Sequence, residues 1–140
     1  MLGGVEFDYE RGLAGHSDAD VVTHAIIDAV LGAAGLDDIG HQFPDTDERY
    51  RDADSIALLR ATVAMLSERG LVVDHIDATV VIEQPVIAPA RDAMRTALAQ
   101  ALEVSVDQVS LKATRGEGMG FVGRGEGAAA LAVATVSGVG

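Results

Sequence analysis

The chain has 140 residues, no cysteine, and a formal net charge of −12 from 22 acidic and 10 basic residues. This length predicts a single domain over residues 1–140, and the excess of carboxylates argues against nucleic-acid binding, which needs clustered basic residues to neutralise phosphates. Without cysteine, disulfides and thiolate metal sites are excluded, so any metal must take nitrogen and oxygen ligands.

Seven elements are predicted from the hydrophobic patterning. In chain order they are a short strand or hairpin arm at 2–9, helices at 18–35 and 54–69, a strand at 71–82, a helix at 89–102, a strand at 109–114 and a closing strand at 128–136. The segments 37–51 and 115–127, rich in aspartate and glycine respectively, are expected to be loops. Ser17 or Asp18 is the expected N-cap of the first helix. The apolar stripe of that helix is formed by Val22, Ile26, Ala29, Val30 and Ala33.

The resulting order, β-α-α-β-α-β-β, predicts an α/β sandwich in which helices cover one face of a sheet of mixed direction. No window of eighteen residues is apolar and free of charge, so a membrane-spanning segment and a membrane partner are not expected. The N-terminus has neither a secretory nor a transit pattern, and a cytoplasmic location is therefore the expectation.

A polar row on the first predicted helix is suited to metal binding. Asp20, His24 and Asp28 are spaced one turn apart and fall on one face. His24 could be a divalent-metal ligand, with Asp20 and Asp28 as the carboxylates that orient its ring. A tetrahedral zinc site needs three protein ligands, so the other ligands must come from elsewhere. The alternative, that His24 is an ordinary structural histidine, stays open at this point.

Two segments carry groups that suit phosphate or hydroxyl ligands. His16 and Ser17 precede the first helix, whose free N–H groups favour an anion, although Ser17 could equally be a simple cap. The carboxylates and amides of 38–40 and 43–47 could bind the hydroxyl groups of a sugar or polyol. An acidic, solvated turn is the alternative there.

The third candidate is the glycine-rich run, which has six glycines in twelve residues from Gly116. Its exposed amides, together with Thr114 and two arginines, could hold a diphosphate, and Glu117 could bind Mg²⁺ through oxygen. The run has neither the spacing of a Walker loop nor that of a dinucleotide-binding fingerprint. A flexible hairpin is the alternative.

Together these segments resemble the 2-C-methyl-D-erythritol 2,4-cyclodiphosphate synthase family of the non-mevalonate isoprenoid pathway. The resemblance is carried by HSDADVVTHAIIDAVLGAAGLDDIG from residue 16, FPDTD from 43, ADS from 53, KAT from 112 and GFVGRGEG from 120. It implies a lyase that converts 4-diphosphocytidyl-2-C-methyl-D-erythritol 2-phosphate, a cytidine diphosphate ester, to the cyclic diphosphate with release of CMP. It also implies a homotrimer with active sites between subunits.

The resemblance assigns roles to individual residues. His24 would ligate Zn²⁺, Glu117 would hold the Mg²⁺ that binds with substrate, and His16 and Arg115 would act in catalysis. Residues 38–40 and 43–47 would hold the methylerythritol part, and 82–88 with 114–117 would hold the cytidine and diphosphate. Phe121 and Arg124 would lie near the trimer axis, where an isoprenoid diphosphate can bind. The implied substrate-binding residues are His16, Ser17, Asp38, Ile39, Gly40, Phe43, Pro44, Asp45, Thr46, Asp47, Ile82, Glu83, Gln84, Pro85, Val86, Ile87, Ala88, Thr114, Arg115, Gly116, Glu117, Phe121 and Arg124.

Three departures from the family pattern modify these expectations. The family opens with a strand carrying an Asp-x-His motif, which supplies two of the three zinc ligands and is not found in these 140 residues. An incomplete zinc site and weak activity of this exact chain are therefore expected. Val86 stands where the family often has lysine, and Arg115 stands within its usual threonine run. The alternative function is a non-catalytic, trimeric module that binds a nucleotide or an isoprenoid diphosphate.

Overall fold

The computed structural model describes residues 2–6, 20–43, 54–83, 87–115, 120 and 128–139. These residues form the helices α1 (Val21–Ala33), α2 (Ile39–Gln42), α3 (Ser55–Glu68) and α4 (Arg91–Leu102), and the strands β1 (Leu71–Val81), β2 (Val109–Thr114) and β3 (Ala129–Gly138). Single 3₁₀ turns at Ala88–Ala90 and Val106–Gln108 precede α4 and β2. No helix within these ranges is long and apolar enough to cross a membrane.

The three strands form one mixed sheet in the order β2-β1-β3. The central strand β1 runs parallel to β2, with Val81 opposite Thr114, and antiparallel to β3, with Val80 opposite Ala130. A β-bulge between Val73 and His75 shifts the register of β1 against β3. The predicted mixed α/β architecture is confirmed.

The helices pack on one face of this sheet. α1 lies against β3, α3 against β1, and α4 against β2. Ile76, Ala78 and Val80 of β1 alternate toward the helices and are buried. On the opposite face the side chains of Leu131 and Val133 are 67% and 68% exposed. Since side chains of a strand alternate between faces, this second face is open to solvent in the isolated chain.

The first helix begins later than predicted. α1 starts at Val21 with Asp20 as its N-cap, so the helix predicted to start at residue 18 was too long; Ser17 and Asp18 lie outside the described residues. Its buried surface is also wider than the predicted stripe. Thr23, Ile27 and Leu31 are buried in addition to three stripe residues, whereas Ala33 is exposed. The wider buried arc arises because the helix packs against both the sheet and α3.

Two local features of the N-terminal half differ in detail from the predictions. The described part of the predicted strand or hairpin arm at 2–9 is a tight turn, which is closed by an antiparallel bridge between Leu2 and Val5 and bends at Gly3 and Gly4, whose φ values of 53° and 78° are positive; residues 7–9 lie outside the described residues. The predicted loop at 37–51 contains α2, a single helical turn. Asp38 starts that turn by accepting a hydrogen bond from the backbone N–H of His41, at 3.0 Å.

The remaining elements agree closely with the sequence. α3 is capped by Asp54, which accepts from the backbone N–H of Ile56 at 2.8 Å, and it ends before Gly70, whose φ of 71° stops the helix. β2 has the predicted bounds, and the alanine-rich segment after residue 128 is a strand, β3.

Candidate functional site

A buried carboxylate ties the start of α1 to two other segments. Asp20 is fully buried, and its Oδ1 accepts from the backbone N–H groups of Gly3 at 2.7 Å and Thr23 at 3.0 Å. Its Oδ2 accepts from the backbone N–H of Gly4 at 3.0 Å and from the hydroxyls of Thr23 at 2.7 Å and Ser55 at 2.8 Å. One side chain therefore joins the N-terminal turn, α1 and α3.

The same bonds set the charge state of Asp20. Burial raises the pKa of this carboxyl, because water no longer solvates the anion. The hydrogen bonds from Thr23, Gly4 and Gly3 together outweigh burial, and they hold the pKa below its ordinary value. Asp20 is therefore an ionised structural group at neutral pH.

His24 lies one turn further along α1, partly buried, and its ring forms no hydrogen bond or ion pair with another described residue. The carboxylates expected to orient it bond elsewhere. The five bonds of Asp20 do not include the imidazole, and Asp28, which is exposed, accepts from the backbone N–H of Ile39 at 2.8 Å. Within the described ranges, no three histidine or carboxylate side chains lie close enough together to hold a metal ion. The role of His24 as a zinc ligand stays a prediction.

The described part of the predicted polyol site is the short helix α2 and its flanks. Asp38 is the cap, Ile39 is partly buried, Gly40 is exposed and Phe43 is buried at the end of the turn. The bond from Ile39 to Asp28 fastens this turn to α1. Asp38 is exposed and uses Oδ1 for the cap, which leaves the exposed carboxylate accessible to a ligand hydroxyl.

A cavity of about 180 Å³ opens where the parallel strands β1 and β2 end. Because the carboxyl ends of parallel strands meet at one edge of a sheet, the segments that follow them are neighbours. A hydrogen bond of 2.9 Å from the backbone N–H of Ile82 to the carbonyl of Thr114 extends the pairing beyond the strands. The cavity is lined by Ile82, Glu83, Ile87, Ala88, Ala113, Thr114 and Arg115.

The structure thus brings together six residues that were predicted from two distant segments. The seventh, Ala113, was missed, although its place within the Lys-Ala-Thr segment and the alternation of β2 could have indicated it. The walls from Ile82, Ile87 and Ala88 are apolar. The two charged lining residues are paired with each other, since Nη2 of Arg115 lies 3.2 Å from Oε2 of Glu83.

Another cavity, of about 530 Å³, lies between α3 and α4. It is lined by Arg60, Glu68 and Glu103 among others, and it contains none of the predicted site residues. The helix patterns gave no signal for it, because they do not determine how far apart two helices pack.

The rest of the predicted site lies outside the described residues, and its roles stay predictions. This set consists of His16, Ser17, Pro44, Asp45, Thr46, Asp47, Gln84, Pro85, Val86, Gly116, Glu117, Phe121 and Arg124.

Comparison with known proteins gives a consistent result. The model of the YgbB family matches residues 1–137. A protein of Salinibacter ruber named 2-C-methyl-D-erythritol 2,4-cyclodiphosphate synthase is 54% identical over 136 residues, which cover 97% of this chain and 87% of that protein. The chain is therefore similar to this relative over nearly the whole length of both.

Solved structures agree with the sequence relatives. The bifunctional IspDF from Campylobacter jejuni matches with a TM-score of 0.88 and 38% identity over 97% of this chain and 37% of that protein. A 2C-methyl-D-erythritol-2,4-cyclodiphosphate synthase in its CDP-bound form matches with a TM-score of 0.83 and 27% identity, covering 98% of this chain and 89% of that one. The fold described above is therefore that of these proteins.

Proposed function

The chain belongs to the YgbB family, and we infer that it is an enzyme with 2-C-methyl-D-erythritol 2,4-cyclodiphosphate synthase activity, a lyase of the non-mevalonate isoprenoid pathway. The observation that carries this conclusion is the extent of the match. The family model covers residues 1–137, and the relative from Salinibacter ruber is 54% identical over 97% of the chain. The matched range includes the residues that line the strand-end cavity as well as those of the core.

The reaction is an intramolecular phosphoryl transfer on 4-diphosphocytidyl-2-C-methyl-D-erythritol 2-phosphate. An oxygen of the 2-phosphate forms a bond to the β-phosphorus, and the bond from that phosphorus to the bridging oxygen breaks. CMP leaves with the bonding electron pair, and the ring closes. The protein contributes mainly by positioning the two phosphates and by neutralising their charge.

We place the cytidine diphosphate end of the substrate in the cavity between the ends of β1 and β2. At about 180 Å³ it is smaller than the roughly 300–1,000 Å³ pockets that enclose whole drug-sized ligands, so it suits one part of the substrate, such as the base. Ile82, Ile87 and Ala88 offer apolar walls. Arg115 at the mouth has the planar donors that bind phosphate oxygens, and this supports its role as a catalytic phosphate clamp.

The other end of the substrate is assigned to the turns around α1 and α2. Asp38, Ile39, Gly40 and Phe43, with residues 44–47, would bind the methylerythritol hydroxyls; the exposed carboxylate of Asp38 supports this. His16 and Ser17 would bind phosphate ahead of α1, and His16 would stabilise the transition state.

The bound cations proposed are Zn²⁺ at His24 and Mg²⁺ at Glu117. The ring of His24 forms no hydrogen bond or ion pair with another described residue, and an imidazole nitrogen is a ligand that zinc commonly binds. The described residues supply no further cluster of donors around it, so His24 fits as one ligand of a site that they do not complete. When bound, divalent cations supply positive charge to the phosphates in a chain whose own net charge is −12.

We propose a homotrimer that uses the open face of the sheet. Leu131 and Val133 are adjacent outward positions of β3, and both are mostly exposed in the single chain. Exposed apolar side chains grouped in this way are typical of a protein–protein interface. The family resemblance places Phe121 and Arg124 near the axis of such a trimer.

The activity is tested by incubating the purified chain with the substrate, Mg²⁺ and Zn²⁺, and separating the products by ion-exchange chromatography. We expect the cyclic diphosphate and CMP in equal amounts, formed at a low rate because the described residues do not complete the zinc site around His24. Intact substrate, together with tight CDP binding that does not depend on zinc, would instead support the non-catalytic binding module.

A further inference from the structure

The carboxylate of Glu83 is nearly buried but incompletely bonded. Its side chain is 12% exposed, and Oε2 contacts Nη2 of Arg115 at 3.2 Å. The other oxygen, Oε1, is buried and has no hydrogen-bond donor among the described residues. Buried polar atoms are nearly always hydrogen-bonded, so a carboxylate left in this state at the wall of a cavity requires an explanation.

The side chains of Glu83 and Arg115 differ in how firmly the surrounding residues hold them. The side chain of Arg115 is 67% exposed, whereas that of Glu83 is fixed by its burial beside Ile82 and the end of β1. A long exposed arginine side chain loses much rotamer freedom when it is held in one geometry. Glu83 is therefore the anchor, and Arg115 is the group that is positioned.

The pairing leaves most of the guanidinium available. Arginine has five N–H donors in a fixed plane, and Glu83 engages Nη2 alone. The remaining donors at the cavity mouth can meet phosphate oxygens without losing the anchor. A carboxylate beside an anion site would otherwise weaken anion binding through repulsion, so its presence there is useful only if its charge holds a cation in place.

We propose that Glu83 is a positioning residue for the phosphoryl transfer, which it assists by holding the Arg115 guanidinium toward the phosphates of the nucleotide ester. This inference rests on the proposed function, because it takes the cavity as the nucleotide end of the site. It differs from a simple surface ion pair, which would contribute little to stability and nothing to ligand binding.

Removal of the charge gives opposite results under the two explanations. In Glu83→Gln the side chain keeps its size but loses the ion pair, so CDP affinity and kcat/KM are expected to fall on the order of tenfold, as for coupled neighbouring groups. If Glu83 only repels the ligand, the same variant binds CDP and inorganic pyrophosphate more tightly. Tighter or unchanged binding of both would overturn the proposal.

A double-mutant cycle tests whether the effect passes through Arg115. In an Arg115→Gln background, Glu83→Gln is expected to cause no further loss of CDP affinity, measured by calorimetry. An equal loss in both backgrounds would contradict the positioning role. Glu68→Gln is the matched control, because it removes the same charge far from the cavity. Glu68 precedes β1, an 11-residue strand that spans about 35 Å, and the cavity lies at the other end of that strand. This control is expected to leave the affinity unchanged.

Glu83→Asp separates geometry from charge and remains informative if the glutamine variant does not fold. It keeps the carboxylate but withdraws it by one methylene, so the guanidinium shifts and kcat/KM is expected to fall. Wild-type affinity and kcat/KM in this variant would refute the proposal. Absence of turnover by the wild-type chain would contradict the synthase activity itself, whereas the CDP affinities of the variants decide the role of Glu83 in either case.

Discussion

Replacement of Asp20 by asparagine is expected to destabilise the protein strongly, because the carboxylate accepts five hydrogen bonds and an amide accepts through one atom only. If the side-chain oxygen of asparagine accepts from the backbone N–H groups of Gly3 and Thr23, its NH₂ group faces the backbone N–H of Gly4. Two donors then meet, and the N–H of Gly4 has no acceptor. The hydroxyls of Thr23 and Ser55 can rotate to accept, but a backbone N–H cannot.

The magnitude follows from these contacts. A buried donor without a partner costs about 1–3 kcal/mol, and loss of the charge-assisted bonds adds about 1 kcal/mol, so Asp20→Asn is expected to lower the free energy of unfolding by roughly 2–4 kcal/mol. Urea denaturation at neutral pH measures this. Asp28→Asn on the same helix is the matched control, because Asp28 is exposed and its single bond to Ile39 can be kept by the amide oxygen.

The pH dependence gives an independent measure. The pKa of Asp20 is lower in the folded state, so its contribution is fully present above the unfolded-state pKa of about 3.9 and is lost as the pH falls through the folded-state value. The difference in unfolding free energy between the wild type and Asp20→Asn should therefore be constant above about pH 5 and should shrink below about pH 4. A loss in Asp20→Asn no larger than that in Asp28→Asn, with no such pH dependence, would refute the reasoning.

Three further predictions concern the metal, the assembly and the N-terminal turn. His24→Gln is expected to weaken zinc binding by at least about tenfold in a titration of the purified chain, and wild-type affinity would exclude His24 as a ligand. Leu131→Asp places a charge on the open sheet face and is expected to give monomers in place of the proposed trimer in light scattering; an unchanged mass would place the interface elsewhere. Gly4→Ala is expected to lower the free energy of unfolding by roughly 2–4 kcal/mol in urea denaturation, since φ is 78° and the new Cβ would lie 2.8 Å from Cδ1 of Ile56. Gly35→Ala, with φ of 75° and open space, measures the backbone strain alone, and an equal loss in both variants would contradict the predicted clash.

The elements that could be predicted from sequence have strong local signals at their ends. α3 lies between a capping aspartate and Gly70, β1 is rich in β-branched residues, and β2 has the predicted bounds. The start of α1 was misplaced because Ser17, Asp18 and Asp20 are all good caps. The choice of Asp20 depends on donors from the N-terminal turn and from Ser55, 35 positions away.

The candidate site could likewise be predicted only in part. The family resemblance grouped 82–88 with 114–117, and the parallel pairing of β1 with β2 explains why their ends meet. The pair of Glu83 and Arg115 is separated by 32 positions and has no periodic signal, so it could be found only from the folded chain. The bonds of Asp20 and Asp28 were unpredictable for a similar reason. Helical spacing placed both carboxylates beside His24 but could not show which backbone N–H groups would donate hydrogen bonds to them.

The most direct test is a crystal structure of the chain with CDP bound. We predict that the cytosine ring fills the cavity between the ends of β1 and β2, against Ile82 and Ile87, with Arg115 within hydrogen-bond distance of a phosphate oxygen. A nucleotide bound elsewhere, with this cavity empty at a saturating CDP concentration, would contradict the account.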